Sequence, residues 1–349
     1  MTEIQQDIRE LDKEQLQQFC LQHAQQAYRA KQISQWLWKK NVSRFDEMKN
    51  IPKELQKDLS NSFIINKLKI LEVQTSKDKC QKYLLQLFDG NLLEMVLIPA
   101  QKRVTVCISS QSGCALGCSF CATAKMGLRR NLSHYEIYEQ VFLATELAVE
   151  HYGHGISNIV LMGMGEPLCN FNSIVRAIRL LTKDEGLNLS PERITLSTAG
   201  LCENIKRLAD SNLGIKLAIS LHSAIQSKRE KIMPIAVANP LSELSAALSY
   251  FHSKTKQRII VEYLLLSHFN DSLEDAKALA IFCKSFPVKV NIIHYNHAEN
   301  SPFSPSQLQD TQIFIDFLTS KNMLVMERNS RGQDIDAACG QLAGKTGIY

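Results

Sequence analysis

The chain has 349 residues, of which 45% are hydrophobic and 21% charged, enough for one large domain plus a smaller one. Its formal net charge of +5 is too modest to imply a nucleic-acid partner by itself, and no stretch reaches the apolar length of a membrane span. The polar, acidic opening Met-Thr-Glu-Ile-Gln-Gln-Asp is unlike a signal peptide, so a cytoplasmic protein is expected. Ten cysteines in such a chain read as ligands, catalysts or core residues rather than a disulfide framework.

Residues 1–75 are expected to form a helical accessory domain. Segments 11–23 and 30–40 carry apolar residues at helical spacing, and Pro52 suits the first turn of a further helix. From Gln15 to Phe45 there is no Asp or Glu, but Arg29, Lys31, Lys39, Lys40 and Arg44 are present, with Tyr28, Trp36 and Trp38 among them. A second acid-free stretch, Met95 to Tyr135, carries Lys102, Arg103, Lys125, Arg129 and Arg130. Two such stretches suit contact with an RNA or DNA backbone. The competing reading is a solvated helix face with the tryptophans packed inward.

Residues 76–100 read as a β-hairpin extension, with strands at 82–87 and 92–98 around Asp89-Gly90-Asn91. From 101 to 330 strands and helices alternate. Strands are expected at 104–109, 158–162, 193–197, 216–221, 259–265 and 289–293, and helices near 134–151, 172–182, 202–211, 241–252, 273–286 and 305–320. That order predicts an α/β fold with a parallel sheet and right-handed crossovers. Six units, with no GxGxxG opening the first helix, favour a partial (β/α)6 barrel over a doubly wound sheet. Residues 331–349 form a C-terminal segment.

The distinctive motifs all follow expected strands, at the end where barrel enzymes place their active sites. After the first comes Cys114-Ala-Leu-Gly-Cys118-Ser-Phe-Cys121, a C-x3-C-x2-C loop. Three thiolates on one loop can hold three corners of a 4Fe–4S cluster and leave the fourth iron open to a small molecule; a zinc site or a chance cluster of buried thiols is the alternative. After the second strand comes Gly163-Met164-Gly165-Glu166-Pro167. Ser197-Thr198-Ala199-Gly200, Ser220-Leu221-His222 and Tyr295-Asn296 end later strands. Cys20, Cys80, Cys169, Cys202 and Cys283 fit no motif and are expected to be buried thiols.

The cysteine loop and the glycine–acid turn resemble the radical S-adenosylmethionine superfamily. Cys107 to Cys114, Gly163 to Leu168 and Asp334-Ile-Asp-Ala-Ala-Cys339-Gly-Gln-Leu342 narrow the resemblance to the bacterial RNA adenine-C2 methyltransferase family. The resemblance spans nearly the whole chain, is most specific over 94–342 and is weakest in the helical N-terminal part. It implies a radical S-adenosylmethionine barrel, an RNA-contacting accessory domain and methylation of carbon 2 of adenine in 23S rRNA (adenine 2503) and tRNAs (adenine 37). It also implies the site. Cys114, Cys118 and Cys121 hold one 4Fe–4S cluster, whose fourth iron takes exchangeable S-adenosylmethionine. Gly165, Glu166, Ser197, Ser220, Leu221, His222 and Asn296 contact that cofactor. Of two S-adenosylmethionine molecules per turnover, one methylates Cys339 and the other yields the radical that activates the S-methyl group for addition to adenine. Cys107 resolves the RNA–protein adduct through a transient disulfide with Cys339, and Glu94 accepts the C2 proton. The partners implied are 23S rRNA, tRNA and a flavodoxin- or ferredoxin-like electron donor, with no membrane and a monomeric enzyme.

Two positions depart from the family pattern: Ala124 stands where many members have Gly, and His297 follows Asn296 where the commoner members carry Pro. Two other functions remain open. The sister rRNA adenine-C8 methyltransferase, which confers antibiotic resistance, shares the cysteines and the mechanism, and Pro167 favours the C2 family because the sister enzymes more often carry Ala there. A noncatalytic iron–sulfur RNA-binding regulator would need the cluster but not Cys107, Glu94 or Cys339.

Overall fold

The computed structural model describes residues 5–296 and 302–342, so His297 lies outside the described residues. The N-terminal part is built of β1 (Gln6–Asp7), α1 (Lys13–Gln22), α2 (Tyr28–Trp38), α3 (Lys53–Ser62) and β2 (Phe63–Ile64). Asp12 and Gln15 form a capping box that starts α1. Pro52 stands just outside α3, as its N-cap, and not in the first turn. Trp38 is buried with its ring edge-on to Tyr138 at 5.1 Å, and Trp36 is half-buried, so both tryptophans pack inward. Tyr28 stays exposed, with the Arg29 guanidinium 5.0 Å from its ring centre.

A buried ion network ties this part to the rest. The Arg9 guanidinium, 2% exposed, meets Asp7 at 2.8 Å and Glu139 at 2.5 Å, and it lies over the Tyr135 ring. Charges so deeply buried are tolerated only when paired, so the network fixes β1 against the helix that carries Glu139.

The remainder follows as β3 (Lys69–Thr75), β4 (Gln81–Gln86), β5 (Leu92–Ala100), β6 (Arg103–Cys107), β7 (Gln111–Gly113), α4 (Ala122–Lys125), β8 (Leu128–Asn131), α5 (His134–Tyr152), β9 (Asn158–Leu161), α6 (Phe171–Thr182), β10 (Ile194–Thr198), α7 (Cys202–Asp210), β11 (Lys216–Ser220), α8 (Gln226–Ile232), α9 (Leu241–Thr255), β12 (Ile259–Leu265), α10 (Leu273–Phe282), β13 (Val288–His294), α11 (Leu308–Ser320) and β14 (Leu324–Arg328). One sheet runs β14-β13-β12-β11-β10-β9-β6-β5-β4-β3. From β6 to β14 every neighbour is parallel, with β3, β4 and β5 antiparallel on the flank of β6. The sheet is open, so the parallel part is a partial barrel.

Two strands differ from expectation. β3 begins in a segment expected to be helical; its alternation is broken by a register shift between Ile70 and Glu72, and its side chains are mostly exposed. β14 is a seventh parallel strand beyond the six expected, an edge strand whose exposed residues blur its hydrophobic signal.

Register decides which side chains share a face. Cys107 stands opposite Val96 on one side and Val160 on the other. Residues alternate faces along a strand, so Glu94, Cys107, Val160, Ser197, Ser220, Glu262 and Arg328 fall on the same concave side. The opposite side carries Val106, Ile159, Leu196, Leu217 and Val261, all buried under the crossover helices.

Candidate functional site: a cysteine-lined cavity at the strand ends

A cavity opens at the C-terminal ends of the parallel strands. Its wall includes Cys114, Cys118, Cys121, Gly165, Glu166, Ser197, Ser220, His222, Asn296 and Cys339. Residues separated by more than 220 positions in sequence therefore meet because successive crossovers return each strand end to one rim.

The cysteine loop is held at several points. Cys114 N–H donates to Gly127 O at 3.0 Å, Ser119 N–H to Ile232 O at 3.0 Å, and Cys121 N–H to Cys118 O at 3.1 Å. Burial pushes all three thiols up, Cys114 to about 11, and at Cys118 the neighbouring Cys121 and Cys114 add to it. Three thiolates here thus require a strongly electropositive group among them. Among the described residues no three His, Cys, Asp or Glu side chains converge on a single ion. A 4Fe–4S cluster takes one thiolate per iron, so the donor set fits it better than a tetrahedral zinc site.

Gly165 has φ +95°, a left-handed conformation that costs a side-chain-bearing residue dearly. The next residue, Glu166, is 4% exposed. One of its carboxylate oxygens accepts from Ala199 N–H at 2.7 Å and the other from Leu168 N–H at 3.0 Å, while its own N–H donates to Gln111 Oε1 at 2.8 Å. The carboxylate thereby staples the turn after β9 to the end of β10. Burial raises its pKa while the two amides oppose the rise. The Thr198 hydroxyl also donates to this carboxylate, and the acceptor capacity that remains can meet a cationic ligand.

The Ser197 and Ser220 hydroxyls lie 3.4 Å apart across neighbouring strands. His222 adopts φ +56°, its Nδ1 accepts from Leu264 N–H at 3.1 Å, and its ring meets Phe120 edge-on at 4.8 Å. Burial, with Arg229 adding to it, pulls the imidazole down to about 3, so it is neutral at physiological pH. Asn296 donates to Ser330 Oγ at 2.9 Å. The Leu221 side chain is fully buried and off the cavity wall; its N–H donates to Glu262 O at 3.1 Å.

Cys339 is exposed on a strap fastened at both ends. Asp334 accepts from Ser76 Oγ and from Lys77 N–H, and Asp78 accepts from Gly332 N–H at 3.0 Å. On the far side Ala122 N–H donates to Gly340 O at 2.7 Å and Thr123 Oγ1 to Leu342 O at 3.0 Å. The strap therefore joins the β3–β4 turn to the cysteine loop. Cys107 is buried one side-chain layer below the cavity-lining Met162. Burial pushes its thiol up to about 12, and the nearby Cys339 sulfur adds to the rise. Glu94 is buried beside the Lys82 ammonium at 3.6 Å and does not line the cavity.

Sequence reasoning missed Arg328, which lies on the cavity wall because β14 was missed. Its guanidinium is held above its usual range, first by the Cys339 sulfur and, against the cost of burial, also by Glu262 at 3.7 Å and Cys107. Continuation of the strand–helix alternation past residue 320, in Leu-Val-Met-Glu-Arg, is the signal that would have found it. Cys169 is exposed, in a short turn between β9 and α6, contrary to the buried thiol expected; Cys20, Cys80, Cys202 and Cys283 are buried.

The basic stretches divide. Lys102 and Arg103 sit at the β5–β6 turn, the end of the barrel away from the cavity. Arg130 is engaged with Asp89 and Glu136, and Arg44 with Asp46. Lys31, Lys39, Lys40, Lys125 and Arg129 remain exposed cations.

Comparison with known proteins agrees with this geometry. Residues 6–65 match the ribosomal RNA large subunit methyltransferase N-terminal domain, and residues 108–280 match the radical SAM superfamily. A probable dual-specificity RNA methyltransferase RlmN from Christiangramia forsetii is 46% identical over 340 residues, covering 97% of each chain. The chain belongs to the RlmN family. An RlmN relative from Nitratiruptor sp., named a dual-specificity RNA methyltransferase, is 40% identical over 97% of this chain and 98% of its own. The crystal structure of a radical SAM methyltransferase from Sphaerobacter thermophilus superposes with a TM-score of 0.90 at 36% identity, covering 97% of this chain and all of that one. The partial-barrel fold is thus that of a radical SAM methyltransferase. Among the described residues no helix is long and apolar enough to cross a membrane.

Proposed function

We propose that this RlmN-family chain methylates carbon 2 of adenine in 23S rRNA and tRNA, with Cys339 as methyl carrier and Cys107 as the thiol that releases the product. The observation that carries the reading is the placement of Cys339 on the cavity wall with the three-cysteine loop, held there by the strap, with the buried Cys107 near its sulfur. A regulator that only bound iron and RNA would need neither cysteine.

When bound, a 4Fe–4S cluster on Cys114, Cys118 and Cys121 with S-adenosylmethionine supplies a methyl group and, given an electron from a flavodoxin- or ferredoxin-like donor, radical chemistry. The chain's own groups do the rest. Gly165 brings the backbone close to the ligand, and Glu166 offers its remaining acceptor capacity to an ammonium. Ser197, Ser220, His222, Asn296 and the backbone at Leu221 contact the remainder, with His222 acting as a neutral imidazole. Arg328 sets a positive charge beside Cys339 on the cavity wall, where the sulfur attacks a methyl sulfonium. Cys107, buried and protonated, stays inert until Cys339 carries RNA. Cys107 then gives up its proton and attacks the Cys339 sulfur: the S–S bond forms as the bond from that sulfur to the methylene on adenine breaks, and the electron pair left on the carbon takes a proton to complete the methyl group. Glu94 is the proton acceptor for the C2 hydrogen. The exposed cations of the accessory domain and cysteine loop face the phosphate backbone, and the enzyme acts as a monomer in the cytoplasm.

Nucleoside mass spectrometry of 23S rRNA and tRNA from cells with and without the protein tests the reading. Loss of 2-methyladenosine is expected, and Cys107→Ala should accumulate an SDS-stable RNA–protein adduct that Cys339→Ala cannot form. Unchanged 2-methyladenosine overturns the reading, and loss of 8-methyladenosine in its place assigns the sister activity.

A further inference from the structure

Arg229 on α8 is a charged side chain without a charged partner. It is fully buried, at 0% exposure. Its guanidinium donates only to neutral carbonyls, through Nε to Leu221 O at 3.2 Å and through Nη2 to Ala199 O at 2.6 Å. Nη1 is buried with no hydrogen-bond partner. Among the described residues no carboxylate pairs with it. An isolated buried cation of this kind is costly and persists only where something offsets it.

The surroundings identify the counter-charge. The two carbonyls belong to the β10 and β11 ends that carry Ser197, Ala199, Ser220 and His222, so Arg229 lies directly behind the cavity wall. Its own helix is fastened to the cysteine loop by the bond from Ser119 N–H to Ile232 O. Cys118 packs against the apolar cluster of Ala199, Ile232 and Met233 around the end of α8, and its sulfur and that of Cys202 are the groups that act on the Arg229 charge. Cys202 is a neutral thiol, donating to Gly200 O and raised by burial. Cys118 becomes anionic when it ligates iron. Burial lowers Arg229 only to about 10, so the guanidinium is still charged at neutral pH.

We propose that Arg229 is a positioning residue for the cluster: its buried positive charge offsets the negative charge at Cys118 and raises the cluster's reduction potential. Reduction adds an electron to a buried, net-negative assembly, and a fixed cation behind one ligand makes that addition easier. Net charge and burial are among the levers that set iron–sulfur potentials. The inference rests on the cluster assignment proposed above.

The test is an anaerobic EPR redox titration of the reconstituted full-length protein without RNA, with iron content and circular dichroism measured alongside. Arg229→Gln keeps donors for the two carbonyls without the charge, Arg229→Met removes both, and Arg229→Lys keeps the charge. The neutral variants should lower the midpoint so that, at fixed potential, the reduced-to-oxidised ratio drops about tenfold, or about 59 mV for one electron. Arg229→Lys should stay within about threefold of the parent by the same relation. Folded neutral variants that lose iron where Arg229→Lys keeps it also support the proposal. An unchanged midpoint in a folded, iron-loaded neutral variant overturns it. So does iron loss in all three variants, or unfolding of both neutral ones, which assigns Arg229 to the architecture. If the parent protein itself assembles no 4Fe–4S cluster, the cluster assignment fails, an outcome distinct from each of these.

Discussion

Replacing Gly165 with Ala tests whether the turn after β9 is shaped by close contact. At φ +95° any side chain is strained, by about 1–2 kcal/mol. A Cβ there also meets the Gln111 Cβ at 2.5 Å and its Oε1 at 2.7 Å. Gln111 must then shift, adding an overpacking cost of about 1–3 kcal/mol and weakening the 2.8 Å bond that Gln111 Oε1 accepts from Glu166 N–H. The sum is about 2–5 kcal/mol. Unfolding entropy of about 2.1 cal/mol/K per residue gives roughly 0.7 kcal/mol/K for 349 residues, so Tm should fall by about 3–7 °C. Gly90→Ala is the control: φ is +84° but nothing lies within 4 Å of the added carbon, so only the backbone term of about 1–2 kcal/mol acts, or about 1–3 °C. Differential scanning fluorimetry on both variants reads the difference, and calorimetric titration of Gly165→Ala with S-adenosylmethionine should show affinity down about tenfold or more, equivalent to about 1.4 kcal/mol. Equal Tm losses in the two variants, or parental cofactor affinity in Gly165→Ala, would refute the close-contact argument.

Glu139→Gln leaves Arg9 short of one buried counter-charge and should cost about 3–5 kcal/mol, seen as earlier urea unfolding and faster proteolysis within residues 5–65; an unchanged midpoint would show the network is dispensable. His134, buried against Arg9 O, is pulled down to about 3 chiefly by burial. Its folded pKa lies below its unfolded value of about 6.5, so its effect on stability is absent above that pH, and stability is lost as pH falls from there towards 3. Urea melts between pH 7 and 4 should show a shallower acid loss for His134→Gln, and parallel curves would contradict the assignment. Thr123→Val strips the Leu342 carbonyl of its donor, a local cost of about 1–3 kcal/mol; amide exchange over residues 333–342 should quicken at least several-fold while the barrel strands are unaffected, and uniform exchange would show that Thr123 does not anchor the strap.

The parallel strands were readable because strands buried on both faces appear as short apolar runs between amphipathic helices. Motifs such as Cys114 to Cys121 and Gly163 to Pro167 marked the active rim for the same reason: each sits where a strand stops. Edge strands were harder. β3 and β14 are the two edges of the sheet and mostly exposed, and a bulge scrambles the alternation of β3, so neither stands out from a loop or helix by pattern. Arg328 was lost with β14. The tryptophans of the basic N-terminal stretch were ambiguous in sequence, because an inward and an outward aromatic read alike until the helix they pack against is known; Trp38 proved to be wedged on Tyr138 of α5. Arg229 was invisible for a related cause. Nothing in Gln-Ser-Lys-Arg-Glu-Lys tells which cation is sealed from water.

The strap bearing Cys339 follows every barrel strand in chain order, yet its far anchors are Ala122 and Thr123. The strap pairs with no strand of the main sheet, so it can leave the loop by local unfolding while the sheet stays folded. Once the barrel has folded, Ala122 and Thr123 already stand at its rim, so re-docking residues 340–342 closes only the short span after β14 rather than a loop of more than 200 residues.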